Sequence, residues 1–145
     1  MILDNLGLFS DSQSLGTTAG TTNSTSSIDL ESASVKTSSD ALYGVTSNVG
    51  VGHEVGLLAQ IDADTAGAGT VTFRLQESAD DSTFTDVLTS VAFTVAQLVA
   101  GARVLPHVLP HGITKRYIRI NWTRSGTLSA GTITAGITNG VQANG

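Results

Sequence analysis

The chain has 145 residues, a formal net charge of −5 and no cysteine. Its length is typical of one domain with a hydrophobic core, and its 40% apolar residues recur at regular positions, which excludes a disordered chain. The lack of cysteine excludes disulfides, thiolate zinc sites and a cysteine nucleophile, and the negative charge argues against general nucleic-acid binding. Frequent Thr, Val, Ile and Gly favour an all-β domain.

The N-terminal part of the chain gives weak periodic signals. Its first residues include an apolar set without a regular period: Ile2, Leu3, Leu6, Leu8 and Phe9. We predict an extended arm or a first strand there, and place the arm at about residues 1–20, with loop over residues 10–23. A Ser-rich stretch at about 31–48 is predicted to be an insertion loop, because long structureless loops are usually functional or mobile.

Strand signals become strong in the middle of the chain. Residues 55–62 alternate between apolar and polar, a turn follows over 64–69, and residues 70–76 alternate again, which predicts two half-buried strands. Residues 84–95 predict one or two further strands. The predicted apolar anchors of that stretch are Val87, Val91 and Phe93.

The C-terminal part continues the same pattern. Residues 95–99 predict a short helical turn, and residues 103–108 predict a strand that Pro106 confines to an edge or a bulge. The clearest strand is 115–123, with Ile118, Ile120 and Trp122 on its inner side, and the last is 131–138. About eight short strands without a convincing helix predict a single domain over residues 1–145, an antiparallel β-sandwich, jelly roll or barrel.

The candidates for chemistry are weak. The acidic residues that suggest a calcium site are Asp62, Asp64, Asp80, Asp81 and Asp86. They lack the spacing of a calcium loop and fall in or beside turns, where Asp is expected. The three histidines, His53, His107 and His111, have no ordering acid in their segments. No nucleophile–base or paired-carboxylate spacing occurs, so we predict a protein that is not an enzyme and uses no cofactor and no metal.

Charge divides the chain into two unequal halves. Residues 1–86 hold all twelve acidic residues and carry −10, whereas residues 87–145 hold five basic residues and carry +5. The strand at 115–123 places Tyr117, Arg119 and Asn121 together on its outer side, and Arg and Tyr are enriched at protein–protein contacts. With Arg124 they form our candidate contact set, alongside two alternatives: single-stranded nucleic acid stacked on this face, and a solvated strand face without a partner.

A series of segments in this order resembles the small capsid cement, or decoration, proteins of short-tailed bacteriophages, of the Bordetella-phage type. The segments are MILDNLGLFSDSQSL, IDL, GVGHE, TVTFRLQESADDSTF, LVAGARVLPHVLP, RYIRINW and GTITAGIT. The Ser-rich segment at about 31–48 departs from the family pattern.

The resemblance implies an about eight-stranded jelly-roll β-sandwich on the outside of an icosahedral phage head. There it would bridge neighbouring major capsid proteins as a homo-oligomer, probably a dimer, and stabilise the shell. The expected location is therefore the virion, after synthesis as a soluble protein in the host cytoplasm, with no membrane or nucleic-acid partner. The predicted contact residues are Ile2, Leu3, Leu6, Leu8, Tyr117, Arg119, Asn121 and Arg124. The alternative is another virion surface jelly roll, such as a head-fibre base or a carbohydrate-binding module.

Overall fold

The structure is a computed structural model that describes residues 3–30 and 55–138, with the backbone alone for residues 3–6. These described residues form nine strands. They are β1 (Leu3–Ser14), β2 (Gly20–Asn23), β3 (Ile28–Asp29), β4 (Gly56–Gly67), β5 (Thr70–Ser78), β6 (Thr85–Thr89), β7 (Phe93–Thr94), β8 (Tyr117–Arg124) and β9 (Leu128–Thr138). The predicted insertion at about 31–48 lies outside the described residues.

Two antiparallel sheets build the fold. The three-stranded sheet has the order β1-β9-β4, and the six-stranded sheet has the order β2-β8-β5-β6, with β3 paired to β8 and β7 paired to β5. Residues 102–109 run along the outer edge of β4, where the Leu57 N–H donates to the His107 carbonyl over 2.8 Å. The chain therefore passes between the sheets in jelly-roll order, and the predicted β-sandwich of jelly-roll type is confirmed.

The core lies between the two sheets and follows the predicted alternation. On β5 and β8 the inward residues are fully buried: Val71, Phe73, Leu75, Ile118, Ile120 and Trp122. From the facing sheet β4 and β9 contribute Leu57, Ala59, Ile61, Ile133 and Ala135. One predicted anchor is wrong, because Val91 is 72% exposed. It lies in the break between β6 and β7, where the chain leaves regular pairing with β5.

The N-terminal prediction is confirmed in one of its two alternatives, because a first strand forms as β1 and pairs with β9 as far as Ser14. The predicted loop over 10–23 is wrong at both ends, since β1 continues into it and β2 pairs with β8, so an arm over about residues 1–20 does not describe residues 3–14. Register shifts interrupt β1 three times and Ser12 adopts a positive φ of 44°. At each bulge the alternation between inward and outward residues shifts by one. The sequence of β1 therefore has no regular period of two, although the strand still places Phe9 in the core.

Two predictions for residues 95–108 meet different outcomes. The helical turn is confirmed as a 3-10 turn over Val95–Gln97, in which the Thr94 N–H donates to the Gln97 side chain over 2.9 Å. The strand at 103–108 is reduced to isolated bridges, Arg103 with Gln60 and Val108 with Gly56. Pro106 lies between these two bridges and has no backbone N–H to donate to β4. Its segment lies at the edge of the sheet, where proline is tolerated.

Two turns cross in close contact at one end of the sandwich. Gly67, the last residue of β4, has a φ of +120°, and a Cβ there would clash with the Thr127 carbonyl oxygen of the β8–β9 turn. The Thr70 N–H donates to Ser125 Oγ over 2.9 Å and joins the same turns. A side chain at Gly67 would therefore push the two turns apart, and it would also strain the backbone of residue 67 at its positive φ.

We expect Gly67→Ala to lower the free energy of unfolding by more than about 2 kcal/mol, because conformational strain and the clash add. Gly101→Ala is the matched control, since Gly101 also has a positive φ of +88° but meets nothing within 4 Å. That variant should lose only about 1–2 kcal/mol. Urea unfolding of both proteins measures the difference, and equal losses would contradict the role of the turn crossing.

Candidate interaction surface

The outer face of the six-stranded sheet carries three of the predicted contact residues. Tyr117, Arg119 and Asn121 alternate along β8 with the fully buried core residues, so the predicted division of this strand into two sides is confirmed. Tyr117 and Arg119 are half-buried on that face, and Asn121 is only 6% exposed. Neighbouring polar side chains therefore cover much of the face, which is not a simple solvated strand.

A chain of polar contacts crosses this face, and we call it the polar ladder. The Arg119 guanidinium lies over the Phe84 ring, 3.7 Å from its centroid, and its Nε donates to Gln76 Oε1 over 2.9 Å. The Gln76 amide donates to Asp86 Oδ1 over 2.6 Å. Burial lowers the pKa of Arg119, and the charge of Asp81 opposes that shift.

The polar ladder continues on the other side of Asp86. Arg74 Nε lies 3.5 Å from Asp86 Oδ2, and Arg74 Nη1 donates to Thr123 Oγ1 over 2.7 Å. Thr123 in turn contacts Thr21 Oγ1 at 2.9 Å, so the polar ladder joins β6, β5, β8 and β2. Each long side chain is held at two points, which lowers the entropy lost when such a surface meets a partner.

Asn121 lies at the centre of this network with an unsatisfied oxygen. It is directly opposite Arg74 on β5, and Arg119 is two residues away along β8. Among the described residues its buried Oδ1 has no hydrogen-bond partner. Buried polar atoms are nearly always paired, so this oxygen is an exception, and its burial keeps it out of reach of a donor from another molecule.

In the part of the chain that the structure describes, the charge asymmetry of the sequence does not gather into a basic face. Arg116 makes a two-point contact with Asp29, with both N–O distances at 2.7 Å, and its guanidinium lies 5.0 Å from the Tyr117 ring centroid. Lys115 Nζ lies 3.9 Å from Glu77 Oε1. Because β8 pairs with β3 and β5, the acids of the first half of the chain lie beside the bases of the second half.

Arg124 is a correction to the predicted contact set. It is 6% exposed and points inward, where its guanidinium donates to the Leu15 carbonyl, to the Thr18 carbonyl over 2.7 Å and to Thr22 Oγ1 over 2.7 Å. The Trp122 Nε1 also donates to the Leu15 carbonyl, over 2.8 Å. Arg124 therefore fixes the turn between β1 and β2, and burial lowers the pKa of its guanidinium.

The apolar N-terminal contact residues are placed only in part. Ile2 lies outside the described residues, and Leu3 and Leu6 are described as backbone positions of β1. Leu8 is half-buried and lies opposite Gly136 on β9. The next residue, Phe9, belongs to the core. Because β1 is the edge strand of its sheet and is paired with β9, the predicted contact residues of this segment belong to a strand and not to a free arm.

The acidic residues that suggested calcium have local partners. The Asp80 carboxylate accepts hydrogen bonds from the Thr83 N–H at 2.8 Å, the Ser78 hydroxyl at 2.8 Å and the Ser82 N–H at 3.1 Å, which hold the pKa of Asp80 well below its usual range. Asp62 accepts from Thr134 over 2.6 Å. Within residues 3–30 and 55–138, no three acidic or histidine side chains converge on a possible metal position.

Sequence reasoning assigned only Arg119 of the polar ladder to this face and missed its other members: Thr21, Arg74, Gln76, Phe84, Asp86 and Thr123. The signal for Gln76 was available, because it shares the outer side of β5 with Arg74 and pairs with Arg119. Phe84 gave no such signal, since it follows a turn and lies outside the regular strands.

Comparison with known proteins gives the class and then the family. The described residues form a jelly roll with a single 3-10 turn. None of them belongs to a helix that is long and apolar enough to cross a membrane. The Bbp16 family model matches residues 9–137, which is most of the chain. The chain belongs to the Bbp16 family, named after a Bordetella phage protein, and is thus a phage-type structural protein associated with the virion. No curated protein matches it significantly.

We expect Arg124→Met to lower the free energy of unfolding by about 3 kcal/mol, because it removes the charge-assisted hydrogen bonds that the guanidinium donates to Leu15, Thr18 and Thr22. Arg119→Met is the matched control on the outer side of the same strand, and we expect it to lose about 1 kcal/mol at most. Chemical unfolding distinguishes the two. A larger loss for Arg119→Met would contradict the assignment of Arg124 as the structural arginine.

We expect the Asp80 carboxylate to contribute stability that depends on pH. Its folded pKa lies below the unfolded value of about 3.9, so the contribution is present above that pH and is lost as the pH falls toward the folded pKa. Asp80→Asn should lower the Tm at neutral pH, and the difference should shrink in acid. Asp11→Asn, an exposed site on β1, is the control; a gap that stays constant with pH would contradict the prediction.

Proposed function

We propose that this chain is a capsid cement protein. It binds the outside of an icosahedral phage head, bridges neighbouring major capsid proteins and stabilises the shell against internal pressure. The observation that carries the proposal is the Bbp16 family match over residues 9–137, which covers the jelly roll from Phe9 in β1 to Ile137 in β9. The resemblance of the sequence segments to phage cement proteins supports the same role.

The outer face of the six-stranded sheet is the proposed contact with the shell. Arg119 and Tyr117 are partly exposed there, and the polar ladder holds Arg119 between Phe84 and Gln76. A surface whose side chains are already ordered loses little entropy on binding. Arg119 forms no ion pair among the described residues, so a partner's acidic group could contact it directly, in competition with the nearby charge of Asp81.

A second part of the proposal is self-association. Cement proteins act through many copies, and two linked copies bind a repeating shell with a higher overall affinity than one copy. We therefore include a homodimer in the proposed function, with two-fold symmetry as the commonest arrangement.

We expect the protein to co-sediment with assembled capsids of the phage that encodes it and to raise the temperature at which those capsids rupture. Free capsid subunits lack the joined surface between neighbours, so we expect little binding to them. Sedimentation with subunits but not with shells would refute the cement role.

We expect Arg119→Gln to weaken capsid binding at low salt, and the difference from the unchanged protein to shrink as salt rises, because screening removes the lost ionic attraction. Ala63→Glu is the matched control: it makes the same change in net charge at an exposed position on the three-stranded sheet. Co-sedimentation across a salt series measures both variants. Equal weakening by both would contradict the assignment of the contact to the six-stranded sheet.

A further inference from the structure

One side of the sandwich is open between the two sheets. A groove of about 270 Å³ runs there between the β6–β7 edge and residues 103–106. Leu88 and Phe93 line one wall, and Val104, Leu105 and Pro106 line the other. Sites for small molecules commonly enclose about 300–1,000 Å³, so this groove suits a few apolar side chains better than a whole cofactor.

The β6 wall of the groove is a free strand edge. β6 is last in the order of its sheet, and no strand of the described residues pairs with it on the outer side. The Ser90 N–H donates to the Phe73 carbonyl over 2.8 Å, and Thr89 lies opposite Arg74. Because alternate residues of an antiparallel strand direct their backbone groups to opposite sides, the N–H and C=O of Thr89 point away from β5 and toward the open side.

This edge lacks the usual protection against pairing. Free edges are commonly blocked by proline or by charged side chains. Residues 85–94 contain no proline and a single charged residue, Asp86, whose carboxylate contacts Gln76 and Arg74 on the outer sheet face. Val91 is 72% exposed and extends the apolar character of the edge beyond β6. Nothing in this stretch therefore opposes the pairing of an extended segment.

The opposite wall carries an uncompensated positive charge. Arg103 is exposed, forms no ion pair among the described residues and is the one charged residue among those that line the groove. Its complement is a carboxylate on the bound molecule. A second copy of this chain would not supply one from its own β6 edge, because Asp86 is already bound by Gln76 and Arg74. Charge therefore favours an acidic segment of another protein.

We propose that the open side of the sandwich binds an extended, acidic segment of another protein by strand addition to β6. The added segment runs antiparallel to β6, as all described strand pairs of the fold do. Its inward apolar side chains fill the groove beside Leu88 and Phe93, and its acidic residue contacts Arg103. Backbone pairing supplies the affinity, and the groove with Arg103 supplies the selectivity. The inference goes beyond the proposed contact of the outer sheet face with the shell and does not depend on it.

A titration of the purified full chain with synthetic peptides tests the proposal without capsids. The probe is a hexapeptide with blocked ends and the sequence TVTVTE, followed through the backbone amide resonances of the ¹⁵N-labelled protein. We expect saturable shifts at Leu88, Thr89 and Arg103, with a Kd of about 1 mM or lower. A peptide that leaves these three amides unchanged would overturn the proposal.

Backbone methylation distinguishes strand addition from simple contact with an apolar groove. Thr89 shares the outer side of its sheet with Arg74, so the peptide residue opposite Thr89 in an antiparallel pair also faces outward. The outward threonines of the peptide therefore donate to β6, and its inward valines do not. N-methylation of two threonines should weaken binding at least about tenfold, whereas N-methylation of the two valines should have little effect. Equal effects of the two modifications would overturn strand addition.

Reversal of charge tests the role of Arg103. At low salt the peptide TVTVTK should bind the unchanged protein about two- to fivefold more weakly than TVTVTE, and Arg103→Glu should reverse that order. Ala19→Glu is the control, because it adds a negative charge next to β2, at the opposite edge of the six-stranded sheet, and should keep the original order. An unchanged order in Arg103→Glu would contradict the proposed contact.

Two further outcomes separate this inference from its alternatives. Amide shifts of Leu88 and Thr89 that grow with protein concentration in the absence of peptide would assign the open side to a second copy and overturn the proposal. Peptide binding by a protein that fails to bind shells would refute the cement role alone. Shell binding without peptide binding would overturn this inference and leave the cement role standing.

Discussion

Strand β8 is the element on which the rest of the molecule depends. It pairs with β5 along its whole length on one side and with β2 and β3 on the other. This double pairing removes any freedom of register, because a shift by one residue would expose Ile118, Ile120 and Trp122 and bury Arg119 in their place. The order of the core and the placement of the outer face are therefore two results of one constraint.

The inner side of β8 also fixes the connection between the sheets. Trp122 and Arg124 both donate to the Leu15 carbonyl, at the turn where the chain leaves β1 for β2. Gly16 at that turn has a φ of +91°, which favours glycine, and a Cβ there would also displace the Arg124 guanidinium, whose carbon would lie 2.8 Å away. A buried guanidinium that pairs only with neutral oxygens is costly to desolvate, and it is retained because three acceptors converge on it.

Several parts of this structure could be predicted from the sequence, and the reasons for the exceptions are physical. Regular alternation on β5 and β8 predicted the core residues of both strands, and the same alternation, extended two residues past Trp122, would have placed Arg124 inside. In contrast β1 was hidden by its bulges, and the exposure of Val91 depends on a break in pairing with β5. Local periodicity carries no information about such interruptions, which are set by the partner strand.

The charge pattern of the sequence likewise could not predict where the charges lie in space. The sequence separates acids from bases along the chain, and that separation predicts a polar molecule only if the two halves also separate in space. Jelly-roll topology does the opposite, because it inserts a late strand between early ones. Asp29 and Glu77 thereby reach Arg116 and Lys115, and the partly exposed Arg119 is held by an aromatic ring and an amide.

The proposed contact with the shell depends on the same constraint, because the polar ladder crosses the outer face of the six-stranded sheet and is built on β8 and β5. In the proposed homodimer this face would be presented twice on one rigid body. Linkage of two such faces raises overall affinity for a repeating surface by about 10²–10⁴-fold without new contacts. Modest single contacts through Arg119 and Tyr117 would then be sufficient for the proposed role of joining neighbours.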